Sequence, residues 1–195
     1  MRKVVVVVCL MMSLVMLAGC AGKSNWDKNM AQKAALNTTY GIRSMDGKIL
    51  LDVTSKSSLT FNGVTIKPSH AVITELHNRL SAQSGRYDTP EQLNANHNTR
   101  DKSEWGSSMT FLVNVMHNET DNRIYVNFFP RTIDAGKSLK YVQDNKYPKI
   151  ATLSTTCEGM SADECSRAIS KEAVDFFLPD FERIKDSYLK WADNN

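Results

Sequence analysis

From residue 49 onward the chain alternates apolar and polar positions with a period of two. Ile49, Leu51 and Val53 fall on one face of a predicted strand, and Leu50, Asp52 and Thr54 fall on the other. Leu59, Phe61, Val64 and Ile66 then flank Asn62-Gly63, the pair that supplies two positive-φ residues to a tight turn. This predicts a hairpin with Leu59 opposite Ile66, Phe61 opposite Val64 and Thr60 opposite Thr65. At Pro68 the period changes. Val72, Ile73, Leu76 and Leu80 form the stripe of a helix over 69–84, with Ser69 as its predicted cap. Thr89-Pro90-Glu91-Gln92 reads as the start of a second, short helix.

Residues 94–106 are polar and rich in Asn, which predicts a loop. A second hairpin follows, with its loop at residues 118–121. The alternation of Phe111, Val113 and Val115 against Ile124, Val126 and Phe128 pairs Val115 with Ile124, Val113 with Val126 and Phe111 with Phe128. Its other face carries Leu112, Met116, Tyr125 and Phe129 with Asn114 and Asn127, so both faces are expected to be partly covered. One more strand is read over 150–156.

Ser161-Ala162-Asp163-Glu164 is a capping box, and it opens a long C-terminal helix. Its stripe runs through Cys165, Ile169, Ala173 and Phe176, then Phe177, Phe181, Ile184, Tyr188 and Trp191. Pro179 is expected to kink or split it. Upstream, Asn25 caps a predicted helix over 26–36 with Trp26, Met30 and Ala34 on one face. The fold class is α+β. An antiparallel or mixed sheet, built from two hairpins and a further strand, packs against the 69–84 helix and the Pro-kinked C-terminal helix.

The first twenty residues carry an address. Arg2 and Lys3 precede an apolar run over residues 4–17, broken only by Ser13. Its 14 residues fall short of the roughly 20 that span a bilayer, so it reads as a cleaved export signal. Leu17-Ala18-Gly19-Cys20 then resembles the lipobox of bacterial lipoproteins: a branched apolar residue, two small residues that fit a peptidase cleft, and the cysteine that takes lipid on sulfur. The resemblance implies cleavage before Cys20, diacylglycerol on its thiol and usually an acyl chain on its new amino group. Ala21 in place of Asp implies sorting to the outer membrane in enteric-type bacteria; the inner membrane and the cell surface stay open. The expected layout is a signal peptide over 1–19, a lipidated tether over 20–25 and one α+β domain over 26–195.

Composition changes the picture once the signal is removed. The formal charge of +3 includes Arg2 and Lys3; without them Lys+Arg falls from 24 to 22 against 21 Asp+Glu, close to neutral. No Lys/Arg cluster suggests a nucleic-acid footprint. Of four cysteines, Cys9 leaves with the signal and Cys20 takes the lipid. Cys157 and Cys165 remain in a compartment that permits disulfides and are expected to pair, with free thiols or a metal pair as the alternatives. Seven residues lie between them, enough for the chain to turn back.

Catalytic motifs are weak. His70 and His77 share a helix face but sit roughly 10 Å apart along it, too far for one ion. His97 falls in the polar loop and His117 at a strand end. Ser187-Tyr188-Leu189-Lys190 matches a Ser-x-x-Lys pattern, but no Lys-Thr-Gly accompanies it. Asp101 and Glu104 could pair as acid and base, yet two acids in a charged loop are usually solvated. No cofactor motif appears. Strand, helix ending Ser84-Gly85-Arg86-Tyr87, short helix and paired strands, over about residues 60–130, look like a small α/β module. That module occurs in outer-membrane lipoproteins that activate peptidoglycan synthases and in the Tol system; no functional residue carries over from it.

The expected role is therefore non-catalytic. The lipid anchor binds the bilayer through Cys20, and the domain docks on an envelope protein partner. An envelope hydrolase and a carrier of a small apolar ligand are the alternatives. The 94–106 loop is the expected docking element, with Arg100 and Trp105 as its contact residues.

Overall fold

The computed structural model describes residues 37–84, 87–93, 109–132 and 147–192. The predicted helix over 26–36, Cys20 and the predicted loop over 94–106 with Arg100 and Trp105 lie outside the described residues. Among the described residues, eight strands and two helices follow in the order β1 (Asn37–Arg43), β2 (Ile49–Lys56), β3 (Leu59–Phe61), β4 (Val64–Ile66), α1 (Pro68–Ser84), β5 (Glu91–Leu93), β6 (Met109–Asn118), β7 (Arg123–Thr132), β8 (Lys149–Thr152) and α2 (Ala162–Ala192). Among these, no helix is long and apolar enough to cross a membrane.

The α+β class holds, with a six-stranded mixed sheet in the order β5-β1-β2-β6-β7-β8. Every neighbouring pair is antiparallel except β2 and β6, whose parallel pairing matches Leu51 to Phe111 and Val53 to Val113. The period-two pattern sets the layers. Leu51, Val53, Phe111, Val113, Val126 and Phe128 project to one side and are fully buried. Both helices pack there: Phe181 of α2 meets Phe111 edge-on at 4.7 Å between ring centroids, and Phe177 stacks on Phe128 at 5.6 Å. The other sheet face is not simply wet. Leu50, Asp52 and Leu93 are buried on it, and Leu112, Asn114, Asn127 and Phe129 are half-buried.

The Asn-Gly hairpin forms with the expected pairs, and Asn62 (φ 47°) and Gly63 (φ 82°) both take the left-handed region. It stands as its own two-stranded sheet, so only one of the two hairpins enters the main sheet. Four expectations change. Residues 91–93 are a strand, not a helix: Leu93 is buried over Gly41, and three residues cannot repay helix nucleation. β1, which the pattern left unassigned, pairs along its whole length with β2. The β6–β7 register is two residues off the expected one, with Val115 opposite Val126 and Val113 opposite Phe128. A shift of two keeps every side chain on its face, so alternation alone cannot detect it; Asn122, at φ 50°, closes the turn over 119–122. Ser69 is not the helix cap. Pro68 opens α1, and the Ser69 N–H is taken by Ser55 Oγ at 2.9 Å. Of the two outcomes expected at Pro179, a kink or a split, the split does not occur: α2 runs through the exposed Pro179 as one helix.

Candidate binding groove at the turn end of the sheet

Three turns meet at one end of the sheet: the Asn62-Gly63 turn, the β6–β7 turn over 119–122, and the strap over 153–161 that joins β8 to α2. A chain of amides ties them together. Asn62 Nδ2 donates to the Thr156 carbonyl at 2.7 Å, Asn122 Nδ2 donates to Asn62 Oδ1 at 2.7 Å, and Asn122 Oδ1 lies 3.0 Å from His117 Nε2. A main-chain carbonyl can only accept, so the whole chain has one direction. It ends with His117 donating from Nε2. The His117 ring also meets Phe61 edge-on at 5.4 Å.

The strap is fixed from below. The Leu153 N–H continues the β8 ladder onto the Ile124 carbonyl at 2.8 Å. The Glu172 carboxylate accepts the Ser154 N–H at 2.5 Å, the Thr155 N–H at 3.0 Å and the Thr155 hydroxyl at 2.8 Å. Partial burial works to raise the Glu172 pKa, but these donors outweigh it and hold the carboxyl below its ordinary range. The capping box forms: Glu164 accepts from the Ser161 N–H and hydroxyl, and the Glu164 N–H returns to Ser161 Oγ. Those bonds lower the Glu164 pKa.

Cys157 and Cys165 are joined as a disulfide with Cα atoms 5.1 Å apart, both fully buried. Cys157 sits at φ 59°, a conformation that the cross-link and the Asn62 contact on its neighbour help to hold. Replacing both cysteines by alanine is expected to cost about 2–3 kcal/mol by loop-closure entropy, lowering the thermal midpoint by roughly 5–10 °C. An unchanged midpoint in differential scanning calorimetry would show that the strap holds without the bond.

Between the turns lies an open groove of about 510 Å³. Phe61 and Leu153 form its buried base, and Asn62, Asn122, Arg123 and Glu158 stand among its polar rim. Asp121 is engaged by the Tyr125 hydroxyl, which raises the Tyr125 pKa. The groove presents both hydrogen-bond donors and acceptors.

The described histidines do not converge. His70 packs edge-on to Tyr40 at 5.1 Å, and His77 hydrogen-bonds Ser81 at 3.1 Å on its own helix. Among the described residues no group of His, Cys, Asp or Glu is arranged to hold a metal. The Ser187 hydroxyl turns back to the Arg183 carbonyl, so the Ser-x-x-Lys match is a helix-surface coincidence. His97, Arg100, Asp101, Glu104 and Trp105 lie outside the described residues. Asn62, Asn122, Thr156 and Glu172 escaped the sequence reading as site residues. Asn-Gly announces a turn, but nothing in the spacing says that residues 62, 122 and 156 meet. Comparison with protein-family models, with curated proteins and with solved structures gave no match.

Proposed function

We propose that this chain is an exported lipoprotein, held on the outer membrane through acylated Cys20, whose domain docks non-catalytically on another protein of the envelope. The observation that carries the reading is the groove: a polar rim locked in place by the Asn62–Asn122–His117 chain and the Glu172 clamp. A rim fixed in advance loses little entropy on binding. The buried disulfide agrees with folding in an oxidising compartment. The tether agrees as well. β1 begins at Asn37, opposite Lys56, and Lys56 pairs with Glu119 in the turn over 119–122, so the chain enters the domain at the groove end. From Cys20 to Asn37 the chain can reach at most on the order of 60 Å. A lipid anchor within that reach raises the effective concentration of membrane partners.

A carrier would need room between sheet and C-terminal helix. That space is filled by Phe111, Phe128, Phe177 and Phe181, all fully buried. The test is crosslinking in intact cells. Arg100→Ala with Trp105→Ala, on the loop over 94–106, is expected to abolish the crosslinked complex while moving the thermal midpoint by no more than a few degrees. Unfolding by Trp105→Ala, with no effect of Arg100→Ala, would assign Trp105 to packing and remove the loop from the interface.

A further inference from the structure

The chain contains one Asn-Gly pair, Asn62-Gly63, and the groove rim hangs on its side-chain amide. Asn before Gly is chemically perishable, because glycine has no side chain to shield its nitrogen from the neighbouring amide. Here both reacting groups are accessible. Asn62 and Gly63 are exposed, and a Cβ placed on Gly63 would meet nothing within 4 Å. Among the described residues the Gly63 N–H has no hydrogen-bond acceptor. The Asp46-Gly47 pair, which could react by the same route, is held differently. Its glycine N–H donates to the Ser44 carbonyl at 2.8 Å. Its carboxylate accepts from the Ser44 hydroxyl at 2.5 Å and the Lys48 N–H at 3.1 Å. The Asn62 side chain is restrained by two bonds, to the Thr156 carbonyl and from Asn122, and both are open to water. Two such bonds slow its release by on the order of ten- to a hundredfold, which delays a reaction without preventing it.

We propose that Asn62-Gly63 is a self-modification site of the folded domain, paced by those two bonds, at which Asn62 becomes aspartate or isoaspartate and the groove rim comes apart. The Gly63 nitrogen gives up its proton and bonds Asn62 Cγ. The Cγ–Nδ2 bond breaks, and Nδ2 leaves with that proton as ammonia. Water then opens the cyclic imide. Opening at one carbonyl gives aspartate and at the other isoaspartate; water is the one co-reactant. Neither product can replace Asn62. Aspartate has no side-chain N–H, so it sets a carboxylate oxygen against the Thr156 carbonyl, acceptor against acceptor. Isoaspartate adds a carbon to the main chain inside a two-residue turn, and the Phe61–Val64 pair loses its fit. Phe61 is part of the buried base of the groove, and Thr156 lies on its strap beside the bonded Cys157. This chemistry stands apart from the docking role, and its test needs no partner.

The test uses the full chain as its cells make it, purified in detergent and held folded in neutral buffer, beside the same chain unfolded in urea. Mass spectrometry of the peptide that holds residue 62 gives the fraction of acid, and enzymatic methylation of isoaspartate separates the two products. Asn62 is expected to convert in the folded chain about ten- to a hundredfold more slowly than in the unfolded chain, with both products formed. Asp46 is expected to keep its ordinary linkage in the folded chain. Asn122→Ala removes the donor to Asn62 Oδ1 and should speed conversion about fivefold. Asn62→Asp, which carries the product from the start, should raise hydrogen exchange in the strap over 153–160 about tenfold. An Asn62 amide still intact in the folded chain after about a hundred half-lives of the unfolded reaction overturns the proposal. So does a strap that exchanges no faster in folded Asn62→Asp, or a rate unchanged in folded Asn122→Ala. The thermal midpoint identifies a variant that fails to fold, and the natural chain then still decides whether the site reacts. None of these outcomes bears on whether the domain docks.

Discussion

Phe128→Ala is expected to destabilise the domain by about 3–5 kcal/mol, the largest loss from any single core truncation. Phe128 is fully buried and holds three elements at once. Its ring lies parallel to Phe111 of β6 at 6.0 Å, stacks on Phe177 of α2 at 5.6 Å and meets Tyr147, just before β8, edge-on at 6.0 Å. Truncation removes apolar transfer energy, and it opens a space that rigid strands on one side and a helix on the other cannot close. A domain of this size has a total stability of only about 5–15 kcal/mol, so the variant should melt roughly 10–20 °C lower. Phe128→Leu, which keeps most of the volume, should cost much less. Equal small shifts for both variants in a thermal melt would mean that the aromatic cluster is not what joins sheet to helix.

How far such features can be read from the residues depends on whether the constraint is local. The Asn62-Gly63 hairpin and the Ser161–Glu164 capping box are set by residues at most seven positions apart, and both formed as read. The stripes of α1 and α2 are equally local. Strand alternation correctly assigned faces, because Phe111, Val113, Val126 and Phe128 had to be buried whatever their partners. It did not assign register, which the turn at Asn122 decides. It also missed β1 and β5, whose short polar sequences are strands only because β2 offers an edge and Gly41 leaves room. A Cβ on Gly41 would come within 2.7 Å of Leu93 Cδ1. Such tertiary context overrides propensity.

The groove was less legible still. Cys157 and Cys165 could be matched because thiols in an oxidising compartment have few other fates. The Asn62–Asn122–Thr156 bonds join residues 60 and 94 positions apart through ordinary polar side chains, which occur throughout the chain and carry no spacing signal. Glu172 reads as an exposed helix acid until the strap is seen lying over it. The disulfide and the helix start were visible as local facts; that they frame a groove required the fold.

Cys20→Ala is expected to change the fate of the protein more than any substitution in the domain. The natural chain should begin at Cys20 and carry lipid mass on that residue, as the Leu17-Ala18-Gly19-Cys20 sequence implies. Each buried methylene contributes about 0.8 kcal/mol, so one acyl chain holds a protein only marginally, whereas two or three hold it firmly. Alanine cannot form the thioether. The variant should carry no lipid, and its fate divides by processing. Retained precursor keeps residues 1–19, with an apolar run too short for a stable span; cleaved chain leaves the membrane with the soluble fraction. Because the domain fold does not depend on the anchor in this reading, the thermal midpoint of the released form should match that of the natural chain. Loss of docking would follow from the fall in local concentration rather than from damage to the groove. Intact-mass spectrometry of the membrane fraction decides the matter. If the natural protein is recovered as the uncleaved 195-residue precursor with no lipid on any peptide, the anchor and the membrane-tethered function built on it are both wrong.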